Sequence, residues 1–250
     1  MSQLSVKEWT EQVIKQDQID KYLINGEDFI NEQKINNDLL NNQEPDIQKV
    51  RDILKKSLEI KRLSPSETAT LLNVQDEDIW QEMYATGLKV KRKVYDNRIV
   101  FFAPLYLSNL CVNNCVYCGF RKDNKNEKRR ILSKEEITRE TEVMVREGHK
   151  RMIAVWGEHP RSDIDYMVDS MKTIYDVERP ATHGPGTGAI RRININAAPM
   201  AIKDLRRLWE VGVGTYQVFQ ETYHKPTYRK MHPTETLKGN YRWRLYALHR

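Results

Sequence analysis

Three cysteines lie close together in the chain, Cys111, Cys115 and Cys118, in a CxxxCxxC pattern. No other cysteine occurs in the 250 residues, and an odd number of thiols argues against a disulfide framework. A structural zinc site normally closes with four ligands; His149 or His159 could supply the fourth, but neither lies at the spacing of a zinc finger. We therefore favour a 4Fe–4S cluster held on three irons by thiolates, which leaves the fourth iron open to a substrate or cofactor.

The residues around the cysteines suit such a cluster. An apolar, β-rich run at 99–107 predicts a strand that leads directly into the cysteine loop. Asn113 and Asn114 are small and polar, so the backbone can wrap closely around a cube. Tyr117 precedes the last cysteine, where it could place an aromatic ring beside whatever binds the open iron.

Strands and helices alternate after residue 96. Predicted strands cover 99–102 with 105–107, then 152–156, 192–196 and 215–219, and the helices between them begin at Ser133, Ser162 and Pro199. Near-continuous apolar strands separated by helices predict a parallel α/β fold with right-handed crossovers. We expect a partial (βα) barrel of about four βα units at 96–250.

The first part of the chain differs in character. Residues 1–62 are polar and weakly helical, a Ser64–Glu67 capping box predicts a helix start, and Asp76 begins another helix that Gly87 should end. We assign residues 1–95 to a helical N-terminal extension without chemistry of its own. No apolar run of membrane-spanning length and no signal or transit peptide pattern is visible, which favours the reducing cytoplasm.

The net charge of +6 raises the possibility of nucleic-acid binding. The densest basic run, 121–130, lacks interleaved aromatic residues and contains two acids, so we interpret it as a solvated loop. A GPGTG segment at 184–188 has no following Lys-Ser or Lys-Thr, and we interpret it as a flexible turn rather than a phosphate-binding loop.

Polar residues follow every predicted strand at its carboxyl end, where barrel enzymes carry their reactive groups. Besides the cysteines these are Gly157 and Glu158, then Asn194 and Asn196, then Gln220, Glu221 and Tyr223. Less specific interpretations remain open: Gly157 and Glu158 as a surface turn, and the two asparagines as strand-end residues that bond loop backbone.

Four segments together resemble one family: 98–120 (RIVFFAPLYLSNLCVNNCVYCGF), 157–160 (GEHP), 191–199 (RRININAAP) and 215–233 (TYQVFQETYHKPTYRKMHP). They are similar to the radical S-adenosylmethionine (SAM) tyrosine lyases, which comprise the iron-only hydrogenase H-cluster maturase and the related 2-iminoacetate synthase of thiamine biosynthesis. The resemblance runs from about residue 63 to the last residue and corresponds to the N-terminal half of such enzymes.

The resemblance implies a role for each candidate residue. The cysteines would bind the 4Fe–4S cluster, Gly157 and Glu158 would bind the amine of SAM, and Asn194, Asn196, Gln220 and Tyr117 would contact SAM elsewhere. Glu221 would contact the SAM ribose or the substrate amine, with Tyr223 in the same cavity. Tyr106 would lie beside the substrate ring, although it could equally belong to the core; His159, His224 and His232 are expected in turns or facing solvent.

The implied reaction begins with an electron from the reduced cluster, which cleaves SAM and releases a 5′-deoxyadenosyl radical. Hydrogen abstraction from L-tyrosine then breaks its Cα–Cβ bond, giving p-cresol and dehydroglycine. Implied partners are a flavodoxin or ferredoxin type electron donor and other hydrogenase maturation proteins, with no membrane and no nucleic acid. Because no cysteine follows Cys118 to hold an auxiliary cluster, we expect a truncated enzyme that makes no CO or cyanide.

Overall fold

The computed structural model describes residues 5–177 and 189–250. Two compact units are distinguished: Met1–Asp28 with Phe101–Arg250, and Phe29–Val100. The first 28 residues thus belong to the unit that contains the sheet, although they lie within the helical extension predicted at 1–95. The loop at 179–188, with the GPGTG turn expected in it, lies outside the described residues.

The sheet of the first unit has four parallel strands in the order β1-β2-β3-β4. They are β1 (Ala103–Ser108), β2 (Arg151–Trp156), β3 (Arg192–Asn196) and β4 (Val213–Gln217). The described helices, in chain order, are α1 (Val6–Val13), α2 (Asp17–Asp20), α3 (Glu32–Leu40), α4 (Ile47–Leu58), α5 (Pro65–Leu72), α6 (Glu77–Tyr95), α7 (Lys134–Arg146), α8 (Ile164–Tyr175), α9 (Ile202–Glu210), α10 (Lys225–Met231) and α11 (Tyr241–Leu245). Because α7, α8 and α9 each connect consecutive parallel strands, the predicted fold, a partial (βα) barrel, is confirmed.

The two faces of the sheet are chemically different. One face packs against the helices, and its side chains form the main core: Leu105, Leu107, Met152, Ala154, Ile193 and Ile195 with residues of α7, α8 and α9. On the other face the strand register aligns Tyr106 with Val155, Val155 with Asn196, and Asn196 with Gln217. This second, more polar face continues into the loops at the carboxyl ends of the strands.

The first strand begins later than predicted. Residues 99–102 are not in a strand and their apolar side chains are exposed, whereas Pro104, expected as an interruption, lies inside β1. A proline is tolerated there because β1 is an edge strand and one side of it needs no backbone N–H. β4 was predicted at 215–219 but spans Val213–Gln217, so the prediction lay two residues too far towards the C-terminus. Val213 already pairs with Ile193 of β3, and Gly214 continues the strand.

Three predicted helix boundaries were wrong. Gly87 does not end α6, which continues to Tyr95, because a single glycine lowers helix stability by only about 1 kcal/mol. Ser162 belongs to a short 3₁₀ turn, and the neighbouring Asp163 is the residue that caps α8. Pro199 precedes the helix start, since α9 begins at Ile202 after Ala201.

The capping boxes were predicted correctly. Ser133 accepts a hydrogen bond from the Glu136 amide, and the Glu136 carboxylate accepts one from the Ser133 amide, at the start of α7. The same reciprocal pair joins Ser64 and Glu67 at α5. Each cap contributes about 1 kcal/mol and determines where its helix begins.

The second unit has a small core of its own. Val50 and Leu54 from α4 pack with Val74 and Ile79, and the Trp80 indole N–H donates to the Val74 carbonyl at 3.1 Å. Across the described residues of both units, no helix combines the length and hydropathy that crossing a bilayer requires.

Candidate functional site

The cysteine loop lies between β1 and α7, at the carboxyl ends of the strands. Cys111, Cys115 and Cys118 all line one cavity of about 340 Å³. The cavity is also lined by residues that follow each of the other three strands: Gly157 and Glu158 after β2, Asn196 and Ala197 at the end of β3, Phe219 and Glu221 after β4. The sequence-predicted convergence of strand-end groups is therefore present in the structure.

Gly157 allows the turn after β2 to lie directly against the cysteine loop. A Cβ at this position would lie 2.1 Å from the Leu110 carbonyl oxygen and 3.3 Å from the Cys111 Cβ. Two backbone hydrogen bonds of 2.8 Å close the contact, from the Gly157 amide to the Ser108 carbonyl and from the Val112 amide to the Glu158 carbonyl. Because Gly157 has no side chain, the turn after β2 can pack against the backbone next to Cys111 and thereby helps to position this cysteine.

Glu158 is buried, and its carboxylate accepts a hydrogen bond from the Asn113 side-chain amide. Burial raises the pKa of Glu158, while Arg244, Asn113 and Lys238 oppose that shift. The Asn113 side-chain oxygen in turn accepts the Lys238 backbone amide at 2.8 Å. Asn113 therefore ties the turn after β2 to the C-terminal segment.

Lys238 joins two of the predicted residues. Its ammonium donates to the Glu221 carboxylate at 2.9 Å and to the Tyr117 hydroxyl at 2.8 Å. Partial burial alone would raise the pKa of Glu221, but the hydrogen bond and charge of Lys238 lower it. Glu221 also has a φ of 70°, a strained backbone conformation for a residue with a side chain, at the point where β4 leads into the cavity.

His232 was expected to face solvent, and that prediction was wrong. It is fully buried, its Nε2 lies 2.8 Å from the Tyr117 hydroxyl, and its Nδ1 lies 2.9 Å from the Tyr228 carbonyl. Burial and the nearby Lys238 lower the pKa of His232 to about 4, so the imidazole is neutral at pH 7. Both ring nitrogens are used to hold the Tyr117 ring and α10 together.

Arg244 adds a second buried cation to the cavity wall. One of its terminal nitrogens donates to the Phe219 carbonyl at 3.1 Å, whereas its Nε is buried with no partner in the described part of the chain. A buried guanidinium N–H without an acceptor is costly. This orphaned donor favours an acceptor on a molecule bound in the cavity.

Arg129 organises the back of the cysteine loop. Its guanidinium donates to the carbonyls of Asn109, Phe120, Arg121 and Asn124. This contact differs from the prediction that the whole basic run at 121–130 is a solvated loop. Arg129 is instead an internal clamp, which closes the segment between β1 and α7 into a compact loop.

Of the remaining predicted residues, two line this cavity and three do not. Asn196 and Tyr106 line it, and the Tyr106 ring meets Phe120 edge-on with centroids 6.0 Å apart. Asn194 lies on the same sheet face as Asn196 but accepts a hydrogen bond from Arg192 at 3.2 Å and is not part of the cavity lining. The cavity lining also excludes Tyr223, whose side chain is exposed, and Gln220, which is buried with both amide atoms unpaired in the described chain.

Three thiols that share one cavity fit an iron–sulfur cube. In a cube each thiolate binds a different iron, so three sulfurs need to share a cavity without converging on one point. Burial raises the pKa of Cys111 to about 11, which means that its thiolate needs positive charge such as iron beside it.

Lys238 and Arg244 are not among the residues predicted from the sequence, and Asn113 is predicted only as a small residue that lets the backbone wrap closely. Asn113 was recognisable as a small residue of the cysteine loop, but its bond to Glu158 joins positions 45 residues apart. The two cations come from 234–250, where the sequence predicts the start of a helix at 241–250 but contains no functional motif. Only tertiary structure brings them to the cysteines.

A family comparison agrees with this geometry. Residues 105–243 match the model of the Radical SAM superfamily, and this range covers the cysteine loop, all four strand ends and Lys238. The chain belongs to the radical SAM superfamily. Members of this superfamily use a 4Fe–4S cluster and SAM, and the cysteine loop fits the cluster-binding motif, so the predicted cofactors are confirmed at the level of the family.

Individual relatives include two hydrogenase maturases of known structure. A crystal structure described as HydG, a maturase of the FeFe-hydrogenase, is 44% identical with a TM-score of 0.83, over 89% of this chain and 48% of that one. HydG from Carboxydothermus hydrogenoformans is 35% identical with a TM-score of 0.74, over 94% of this chain and 50% of its own. The 2-iminoacetate synthase of Escherichia coli K12 is 27% identical over 77% of this chain and 48% of its own length. The chain thus spans about half the length of these relatives.

Proposed function

We propose that the chain carries the cluster and SAM site of a radical SAM tyrosine lyase of the hydrogenase-maturase type. The observation that carries the proposal is the single cavity shared by the three cysteines and the polar ends of β2, β3 and β4. The higher identity to HydG than to 2-iminoacetate synthase favours the maturase type. The bound cluster and SAM would supply the one-electron chemistry that starts the reaction on L-tyrosine.

The residues of the cavity have complementary charges for an amino acid moiety. Glu158 and Glu221 offer carboxylates to an ammonium group, and Lys238 and Arg244 offer cations to a carboxylate. Such charge-assisted hydrogen bonds are stronger than neutral ones, and here they form away from bulk water. SAM carries both groups on its methionine part, so this chain would orient SAM through four side chains from three different segments.

An aromatic pair could receive the ring of L-tyrosine. Tyr106 and Phe120 line the cavity together with the cysteines and are in edge-to-face contact. A tyrosine ring packed against such a pair gains about 1 kcal/mol beyond simple burial. We propose Tyr106 as a substrate-positioning residue and Glu221 as the contact to the substrate amine or the SAM ribose.

The test is anaerobic reconstitution with iron and sulfide, followed by electron paramagnetic resonance of the dithionite-reduced protein with and without SAM. We expect about four irons and four sulfides per chain, a spectrum that changes when SAM is added, and p-cresol when L-tyrosine is supplied. A variant with all three cysteines changed to alanine should retain neither iron nor signal. Stoichiometric zinc, or a reduced spectrum that SAM leaves unchanged, would refute the proposal.

The 2-iminoacetate synthase reaction is a second candidate, because curated relatives with that name match 77% of the chain. Both candidates begin with cleavage of L-tyrosine to p-cresol. The two kinds of enzyme differ in the fate of the remaining fragment, which becomes CO and cyanide in the maturase and stays an iminoacetate in the thiamine enzyme. Because no cysteine follows Cys118 to hold an auxiliary cluster, this chain should release the same imine in either case. The higher identity to HydG therefore remains the reason to favour the maturase type.

A further inference from the structure

Four side chains beside the cysteine loop are joined in a closed circle of hydrogen bonds. The Tyr117 hydroxyl lies 2.8 Å from His232 Nε2, and His232 Nδ1 lies 2.9 Å from the Tyr228 carbonyl oxygen. The Tyr228 hydroxyl donates to the Lys238 carbonyl, and the Lys238 ammonium donates to the Tyr117 hydroxyl at 2.8 Å. We call Tyr117, His232, Tyr228 and Lys238 the closed network.

The partners determine the direction of each hydrogen bond in the closed network. A backbone carbonyl only accepts, so His232 Nδ1 carries the proton of the neutral imidazole and Nε2 is an acceptor. Tyr117 therefore donates its only proton to His232, while its oxygen accepts from Lys238. Because the Tyr117 hydroxyl has no proton left for a bound molecule, the part that it offers to the cavity is its aromatic ring.

One half of the closed network is buried and the other half faces the cavity. His232 and Tyr228 are fully buried, and their rings pack with centroids 4.1 Å apart. Tyr117 and Lys238 line the cavity together with the three cysteines, and Tyr117 is 48% exposed. The buried pair is thus the support, and the Tyr117 ring is the supported group that a molecule in the cavity can touch.

The backbone beside the closed network holds the same two segments together but does not orient the ring. The Val116 amide donates to the Met231 carbonyl at 3.1 Å, which joins the residues that precede Tyr117 and His232. A tyrosine ring can still turn about its side-chain bonds when only its backbone is held. The restraint on the orientation of the Tyr117 ring therefore comes from its hydroxyl group.

We propose that His232 is a positioning residue for bound SAM, and that it acts through the ring of Tyr117 without touching SAM itself. This inference rests on the proposed function, because it assumes that SAM occupies the cavity beside the cysteines. A side chain that is already ordered loses little freedom when a ligand binds against it, so the ligand binds more tightly than to a mobile side chain. His232 supplies this order by accepting the proton of Tyr117.

The closed network also extends to the segment after β4. The Lys238 ammonium donates to the Glu221 carboxylate at 2.9 Å as well as to Tyr117. The ring beside the cysteines and the carboxylate on the other side of the cavity are therefore held by one cation. Loss of the imidazole should loosen the Tyr117 ring first, since Lys238 keeps its bond to Glu221.

The test is a double-mutant cycle of His232→Leu and Tyr117→Phe. The dissociation constant of SAM is measured by anaerobic calorimetry on the oxidised, reconstituted protein, because cleavage of SAM needs an electron and binding is then measured without turnover. We expect about tenfold weaker binding for each single variant and no additional loss in the double variant, since both changes remove the same hydrogen bond. His232→Gln keeps an acceptor for the Tyr117 hydroxyl and should bind SAM within about threefold of the unaltered chain.

His224→Leu and His224→Gln are the matched controls. His224 lies at the start of α10, is exposed, and pairs with the Thr227 hydroxyl and not with a residue of the cavity. Both control variants should bind SAM like the unaltered chain. If His232→Leu lowers the iron content after reconstitution, Tyr117→Phe alone decides, because it leaves the buried imidazole in place.

Two results would overturn the role of His232: losses that add up in the double variant, or an unchanged affinity for SAM in Tyr117→Phe. An equal loss in His224→Leu would overturn it as well. The expected pattern of SAM binding without p-cresol from L-tyrosine would refute the proposed lyase and leave the role of His232 standing. Failure of the unaltered, reconstituted chain to bind SAM would refute both.

Discussion

At the scale of single residues, the site depends on a position that has no side chain. Gly157 brings the end of β2 within backbone hydrogen-bond distance of the cysteine loop, and a methyl group there would overlap the Leu110 carbonyl. The neighbouring oxygen belongs to the backbone, so it cannot move aside as a flexible side chain would. A substitution at this glycine should therefore act on the cluster rather than on the sheet.

We predict that Gly157→Ala lowers the iron and sulfide content after reconstitution to less than about half that of the unaltered chain, because the cysteine loop must shift. Gly119→Ala is the matched control: it lies in the same loop, and nothing lies within 4 Å of an added Cβ. Iron and sulfide analysis of both variants checks this. Full cluster content in Gly157→Ala would mean that the contact does not position the cysteines.

At the residue scale, the sequence located candidate residues where the signal lies in neighbouring positions, and the roles of these residues stay predictions. The cysteine spacing and the polar residues next to strand ends identified Glu158, Asn196 and Glu221, all of which line the cavity. The sequence could not reveal Lys238, whose partners Tyr117 and Glu221 come from distant segments. The wrong expectation for His232 has the same origin, because its two partners are visible only in the folded chain.

At the scale of elements, local signals predicted helix starts better than helix ends. Ser133 with Glu136 specified the start of α7 because both hydrogen bonds lie within one turn. Gly87 failed as a stop signal because neighbouring residues of α6 continue the helix through it. The start of β1 was misjudged because residues 99–102 have strand-like composition but lie exposed outside the sheet.

The capping box of α7 also predicts a pH dependence of stability. Hydrogen bonds from the Ser133 amide and the Arg130 side chain lower the pKa of Glu136 below its ordinary value of 4.5. The folded state therefore favours the carboxylate, and this stabilisation, present above pH 4.5, is lost as the pH falls through the lower folded-state pKa. Glu136→Gln should remove the contribution of this carboxylate to the pH dependence of stability.

Urea unfolding between about pH 3 and pH 6 measures this effect. We expect the free energy of unfolding of Glu136→Gln to approach that of the unaltered chain at the acid end and to fall below it at the neutral end. Glu142→Gln on the exposed side of the same helix is the control and should run parallel to the unaltered chain. If the free energy of unfolding of Glu136→Gln changed with pH in the same way as that of the unaltered chain, the capping box would not contribute to the pH dependence of stability.

At the scale of the whole molecule, the first residues of the chain are tied to the last. Tyr22 stacks on Tyr246 with ring centroids 5.7 Å apart, and Ile19 is fully buried. Asp28 lies 3.2 Å from the Lys225 ammonium and 3.5 Å from the Arg242 guanidinium, with its side chain only 2% exposed. Sequence patterns identified residues 1–28 as polar and helical but could not assign them to the sheet unit, because these ties span some 200 positions.

We predict that Asp28→Ala lowers the free energy of unfolding by about 2 kcal/mol, since it removes a buried carboxylate from two cations. Glu27→Ala is a close control: Glu27 also pairs with Arg242, at 3.4 Å, but is 79% exposed. Its effect should stay within about 0.5 kcal/mol. Chemical denaturation of both variants compares them, and equal losses would contradict the role assigned to burial.

The clamp formed by Arg129 has a consequence for how the protein acquires its cofactors. A guanidinium bonded to four carbonyls sets the curvature of the cysteine loop with donors that belong to the chain itself. Most of the entropy lost in ordering that loop is therefore lost during folding. After iron is extracted by a chelator, the cysteine loop should therefore stay folded, in contrast to a zinc finger, which unfolds when its metal is removed.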